Sequence, residues 1–298
     1  MTNKNIFKLA TMLLLLPAFL QRAAAQTSTQ PAQYFFNQYL GNAAMAGAED
    51  GLHVFAGYHR QMDNIAGAPT NILFTADYNA GKRVGLGLNV TNIKAGVLQH
   101  TKALLTYAYH LPVGTNHQRV SFGISGGFIH QRIDQEKLVG SAGDPTLQGY
   151  NDTGLKMDGD VGIAYTDDHF NFQVAVPSLR ERVDKDQKEF ISKTTFFASA
   201  AYKFELTETV NSIIPKVAFS EIKGYENVLD LGASVQFLQD MANVQALYHS
   251  TKNFTVGAGF KIMSQYELQL FYTSQPSEIK AYTSPMLSVN IKANLFSK

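Results

Sequence analysis

One string in this chain has the spacing of a catalytic nucleophile. Gly123-Ile124-Ser125-Gly126-Gly127 fits the G-x-S-x-G pattern of serine hydrolases. That chemistry needs the serine on a sharp strand-to-helix turn, where its hydroxyl meets a base. Ser125 instead lies within an alternating run with no helical pattern after it, so small residues on one strand face explain the string better. Gly85-Leu86-Gly87 lacks the third glycine of a dinucleotide cradle, and no helix follows it. Neither a phosphate-loop string nor H-E-x-x-H occurs, and the eight histidines show no ligand spacing. His53 and His59 share one run and read as lumen or rim residues. Asp158 and Asp160 point the same way and could hold calcium together with Asp144 and Asp152. The EF-hand spacing is absent, and a solvated acidic rim explains them better. With no cysteine, thiol nucleophiles, thiolate metal sites and disulfides are excluded. The sequence therefore predicts no catalytic residue, no metal site, no cofactor and no enzyme.

The elements that carry these residues are strands. Val84, Leu86, Leu88 and Val90 alternate with Gly85, Gly87, Asn89 and Thr91; Leu105, Tyr107, Tyr109 and Leu111 alternate with Thr106, Ala108 and His110. Period-two alternation marks a strand with one apolar face and one polar or small face. It recurs in fourteen segments, near 52–61, 70–79, 83–92, 101–111, 119–131, 157–166, 169–177, 194–205, 213–221, 227–238, 242–250, 254–263, 266–274 and 285–296. Pro215 inside the ninth predicts a bulge or a strand start. No later segment has the ~20 consecutive apolar residues of a membrane helix, whereas strands of ~9–11 residues can cross a tilted bilayer path. Joins alternate in length: 80–82, 112–118, 167–168, 206–212, 239–241 and 264–265 are short, while 62–69, 93–100, 132–156, 178–193 and 275–284 are longer. Short turns on one side and long loops on the other are expected of a membrane barrel, with apolar residues facing lipid and polar residues facing a wet lumen. The fold expected is an all-β, transmembrane antiparallel β-barrel of about fourteen strands, both termini periplasmic. Tyrosines such as Tyr58, Tyr78, Tyr107, Tyr109 and Tyr266 would form interfacial girdles.

The N-terminal residues read as an export signal. Lys4 and Lys8 precede the apolar run Leu9–Leu20, and Ala23-Ala24-Ala25 fits a cleavage site. The expected organisation is a signal peptide (1–25), a periplasmic N-terminal segment (26–51) and an outer-membrane barrel (52–298). The middle segment, with Tyr34-Phe35-Phe36 and Asn42-Ala43-Ala44-Met45-Ala46-Gly47, has two readings: a lead-in packed in the barrel mouth, or a contact element for periplasmic partners. A net charge of +1 gives no basic excess for nucleic acid.

The run Gln33-Tyr34-Phe35-Phe36-Asn37-Gln38-Tyr39-Leu40-Gly41-Asn42-Ala43-Ala44-Met45-Ala46-Gly47 resembles the N-terminus of the PorP/SprF-like membrane proteins of the type IX secretion system. Tyr58-His59-Arg60-Gln61 is similar to that family's Tyr-Arg-x-Gln signature. Gly67-Ala68-Pro69, Val84–Asn89, Tyr107-Ala108-Tyr109 and Ser121–Phe128 follow in the same order. Gln38 and Ala43 stand where proline is common, and Met62 where an aromatic often follows. The resemblance implies an outer-membrane barrel of Bacteroidota-type bacteria, without enzyme activity, working with secretion and gliding machinery. Its implied partners are an exported cargo protein with a type IX C-terminal domain, periplasmic secretion-machinery proteins and outer-membrane lipid. The expected role is export or surface anchoring of partners through extracellular loops; the alternative is a passive or substrate-specific pore lined by Asp77, Asp230, Gln245, Lys261, Glu267 and Lys292. Partner-binding candidates are Tyr34, Phe35, Phe36, Asn37, Tyr39, Tyr58, Arg60, Asp144, Tyr150, Asp152, Arg180 and Arg182.

Overall fold

The computed structural model describes residues 33–61, 67–114, 117–134, 154–183, 194–206, 209–223, 226–263, 265–274 and 285–296. The strands are β1 Leu52–Gln61, β2 Thr70–Gly81, β3 Val84–Ala95, β4 Leu98–Pro112, β5 Arg119–Ile133, β6 Leu155–Thr166, β7 Phe170–Val176, β8 Thr194–Tyr202, β9 Phe204–Glu205, β10 Val210–Ile222, β11 Val228–Phe237, β12 Ala242–His249, β13 Asn253–Ile262, β14 Tyr266–Thr273 and β15 Met286–Leu295. Neighbours in sequence pair antiparallel, and β15 pairs with β1 from Leu52–Leu295 to Gln61–Met286, which closes the sheet. β8 and β9 both pair with β10 and form one interrupted stave, so the cylinder has fourteen. Closure leaves no edge strand, which satisfies every ladder without water.

Alternation sets the two faces. On β5, Phe122, Ile124 and Phe128 point outward and are about half exposed, while Ser121, Ser125 and Gln131 are buried inside. Leu231, Val256, Phe260, Leu287, Val289 and Ile291 are likewise exposed on the outer wall. In a soluble sandwich these residues would be the core; here they form the outer surface, as a bilayer requires. Tyr58, Tyr78, Tyr107, Tyr109 and Tyr266 also lie on it.

Both barrel ends leave one rim, where the joins 82–83, 113–118, 167–169, 206–209, 238–241 and 263–265 are short. The strand ends that flank the long joins 134–154, 177–193 and 274–285 lie at the other rim. One expected loop, 93–100, is instead the two-residue turn Gly96-Val97. Its flanks keep pairing, with Asn92 Nδ2 donating to Thr101 Oγ1 at 2.6 Å, and they lengthen the β3–β4 hairpin. Pro215 neither starts β10 nor bulges it. It lies mid-strand opposite Ala233, and its missing N–H coincides with the break between β8 and β9 at Lys203. There the Lys203 N–H donates to the His169 carbonyl instead (2.8 Å).

Candidate functional site

Residues 33–48 do not sit outside the barrel; they run through it. A helical turn, Gln33–Phe36, leads into two 3-10 turns, Gln38–Leu40 and Ala43–Met45. Short turns of this kind leave backbone groups unpaired, and two asparagines resolve that locally. Asn37 Oδ1 accepts the Tyr39 N–H (3.1 Å), while its Nδ2 donates to Thr75 Oγ1 on β2 (2.7 Å). Asn42 Oδ1 accepts the Ala44 N–H (2.9 Å), and its Nδ2 donates to the Ile163 carbonyl on β6 (3.1 Å). Each side chain therefore caps a turn with one atom and pins it to the wall with another.

The remaining ties spread around the wall. Gln33 Nε2 donates to the His59 ring (2.9 Å), near the loop-side end of β1. The Tyr39 hydroxyl bonds Thr106 Oγ1 (2.6 Å), which in turn bonds Ser125 Oγ (2.7 Å). Ser125 is thus a mid-strand lumen residue with its hydroxyl engaged, not the apex of a strand-to-helix turn. Gln38 Oε1 accepts from Asn171 and Gln173 (2.8 and 2.5 Å). His110 Nε2 bonds the Ala46 carbonyl, Arg119 donates to the Ala48 carbonyl, and the Gly47 N–H donates to Asp77.

Small residues make room for this insert. A Cβ at Gly123 would strike the Ala43 carbonyl carbon, one at Gly85 the Ala46 carbonyl oxygen, and one at Gly162 Asn42 Oδ1. Gly47 has φ +61°, and a side chain there would sit 2.5 Å from the Tyr78 carbonyl oxygen, so glycine is required twice over. Large apolar residues on the lumen face also meet the insert. Phe36 packs edge-on to Phe55 (centroids 5.7 Å apart) beside Leu73. Phe35 sits against Leu247 and Phe271 and carries Lys216 Nζ over its ring at 4.8 Å. Leu40 packs on the Ala175, Phe197 and Ala218 cluster.

On the loop side a second element enters the mouth. Lys102 Nζ lies 2.8 Å from Asp160 and 3.1 Å from Asp158, whose side chain is fully buried. The same carboxylates accept the backbone N–H groups of Ser178 (2.8 Å) and Arg180 (3.1 Å), which starts the short helix Leu179–Val183. Its far side is held by Glu181–Lys223 (2.9 Å) and Arg182–Glu221 (2.5 Å). The expected solvated acidic rim at Asp158 and Asp160 is therefore corrected: both share Lys102 as a counterion and accept backbone N–H groups at a helix start.

Between the insert and strands β10–β15 lies a polar vestibule of about 300 Å³, reaching the rim that carries the barrel ends. Lys261, Glu267, Lys292 and Gln245 line it; Asp77 and Asp230 also face inward but bond Gly47 and His249. At its mouth Glu49, just before β1, pairs with Lys292 (3.3 Å). Lys292 chiefly, and His53 beside it, hold the Glu49 carboxyl below its ordinary range against desolvation. A carboxyl with a lowered folded-state pKa contributes above its unfolded pKa and loses that contribution as pH falls through the lowered value. Proteolysis of the insert, followed from neutral into acid pH, should therefore converge for wild type and Glu49→Gln at the acid end. Parallel curves across the range would contradict this.

The sequence candidates separate in space. Phe35, Phe36, Asn37 and Tyr39 face the lumen wall, and Tyr34 shares the helical turn of Phe35 and Phe36. Tyr58 and Arg60 are exposed on the outer face of β1. Arg180 and Arg182 lie on the loop-side helix. Asp144, Tyr150 and Asp152 fall outside the described residues. Sequence reasoning missed Gln33, Gln38, Asn42 and Lys102. The signal available was Phe55, Leu73, Phe197, Leu247 and Phe271, large apolar residues standing in the polar phase of their strands.

A family model described as Type IX secretion system membrane protein PorP/SprF matches residues 23–292. No curated protein matches the chain significantly. Among solved structures, the Ralstonia pickettii toluene transporter TbuX is similar over 86% of this chain and 92% of its own, with TM-score 0.53 and 10% identity. The Acinetobacter baumannii outer membrane protein Omp33 is similar over 84% of this chain and 100% of its own, with TM-score 0.51 and 10% identity. At such identity the two likenesses establish the fold, an outer-membrane barrel.

Proposed function

Because the chain belongs to the PorP/SprF family of type IX secretion system membrane proteins, we propose that it is a plugged outer-membrane scaffold that supports export or surface anchoring of partner proteins through its loops. The observation that carries this reading is the insert: with residues 33–48 crossing the lumen, the rigid wall holds up loops rather than an open path. Binding surfaces on loops held by a rigid frame are a common arrangement. In this reading the long joins face outward, with Asp144, Tyr150, Asp152, Arg180 and Arg182 toward an exported protein carrying a type IX C-terminal domain. The rim with the barrel ends faces the periplasm and its secretion or gliding machinery, after removal of 1–25. Phe35, Phe36, Asn37 and Tyr39 then keep the lumen filled, and Tyr58 faces lipid. The runner-up, a pore, requires the insert to leave.

Removing 135–153, 184–193 and 275–284 together should abolish partner display at the cell surface. The heat-modifiable migration of the folded barrel should persist. Display that survives the triple deletion refutes the reading.

A further inference from the structure

Around the vestibule the sheet sets its inward residues in rows. One row runs Gln236, Asn243, Gly259, Gln269, Asn290, each directly opposite the next on adjacent strands. Nearer the rim a second row runs Lys261, Glu267, Lys292. The bare backbone of Gly259 leaves space that Gln269 Oε1 and Asn243 Nδ2 occupy. Gln269 is fully buried, and neither of its amide atoms has a partner among the described residues; buried Gln245 has an unpaired Oε1. Both line the vestibule. Lys261 lines it too and forms no ion pair among the described residues. Buried polar groups are nearly always paired in native proteins, to protein, water or ligand, so these amides are polar groups that a ligand entering the vestibule can satisfy in place of water.

The charges narrow what that is. Lys261 and Lys292 share the lining with Glu49, Asp77, Asp240 and Glu267. Four carboxylates against two lysines oppose a dianion, and a carboxylate on Lys261 is favoured only if it brings a cation for Glu267 or Asp240. Carboxamides both donate and accept, matching a peptide bond. The Phe35 ring already carries Lys216 over one face, which leaves it a poor stacking platform for a sugar.

We propose that this vestibule binds a short, free zwitterionic peptide, with its carboxylate at Lys261, its cation at Glu267 and its peptide bonds toward Gln236, Gln245 and Gln269. The inference does not depend on the anchoring role above. The full-length protein in detergent micelles is titrated calorimetrically with the tripeptide Ala-Gln-Ala, with its N-acetylated, C-amidated form, and with a neutral disaccharide. The free tripeptide should bind, and the blocked form should not. Lys261→Met should weaken binding by roughly tenfold or more, and Lys261→Arg should retain it. A longer peptide with only its C-terminus free lacks the cation for Glu267 and should bind more weakly than the free tripeptide; equal affinity would overturn the proposal. No heat from any peptide, undiminished binding to a folded Lys261→Met barrel, or preference for the disaccharide would overturn the proposal.

Discussion

Deleting Gln33–Gly47 should turn a barrel of low conductance into a steadily open channel. The insert is tied to β1, β2, β4, β6 and β7 by Gln33, Asn37, Tyr39, Asn42 and Gln38. A closed cylinder of this strand number encloses a lumen that must be filled, plugged or open, and here the chain supplies its own filling. The wall does not depend on it, because every ladder closes on its neighbours through β1 and β15. The deletion uncovers Phe55, Leu73, Phe197, Leu247 and Phe271 to lumen water, so some loss of stability accompanies it. Gly123→Val is the complementary variant. It keeps every other residue but drives a side chain into the backbone of Ala43, which cannot move aside as a flexible side-chain end would. Its insert should become protease-sensitive and its conductance should rise. Bilayer traces of a folded deletion variant that match wild type would show that the insert does not close the lumen.

Lys102→Met should be the most destabilising single substitution in the loop-side mouth. Removing one partner of a buried ion cluster leaves uncompensated charge, at a cost of about 3–5 kcal/mol. Here two carboxylates would be stranded, Asp158 with no side-chain exposure and Asp160 with little. The helix Leu179–Val183 takes its first backbone bonds from those carboxylates. It should loosen, and with it the start of the 184–193 join. The denaturant midpoint in micelles reads the first effect and proteolysis near Arg182 the second. Changing Asp158 and Asp160 to Asn in the Lys102→Met background should recover much of the loss, since neutral amides need no countercharge. A single variant as stable as wild type would mean that the cluster is solvated in the membrane protein.

The wall is legible from local pattern, residue by residue. Leu229, Leu231, Ala233, Val235 and Phe237 against Asp230, Gly232, Ser234 and Gln236 define two faces wherever the strand lies, because successive side chains must point to opposite sides. The bounds of β1 emerge as Leu52–Gln61 from that rule alone. The β3–β4 join reads as a longer loop, 93–100, because the alternation breaks there around Gly96. In the folded barrel Ile93 pairs with His100 and Ala95 with Leu98 across the strands, and only Gly96-Val97 turns.

Strand count, the two-faced wall, the distribution of short and long joins and the family resemblance are all properties of the sequence alone, since they rest on neighbours a few residues apart. What fills the cylinder is a property of the folded molecule. The insert has no period to read, and its partners lie far along the chain: Asn37 with Thr75, Asn42 with Ile163, Gln38 with Gln173. Glycine and serine on a lumen face accommodate water or a passing backbone equally well. Which one is present depends on shape matching between distant segments, as at Gly123 under Ala43, and alternation carries no information about that.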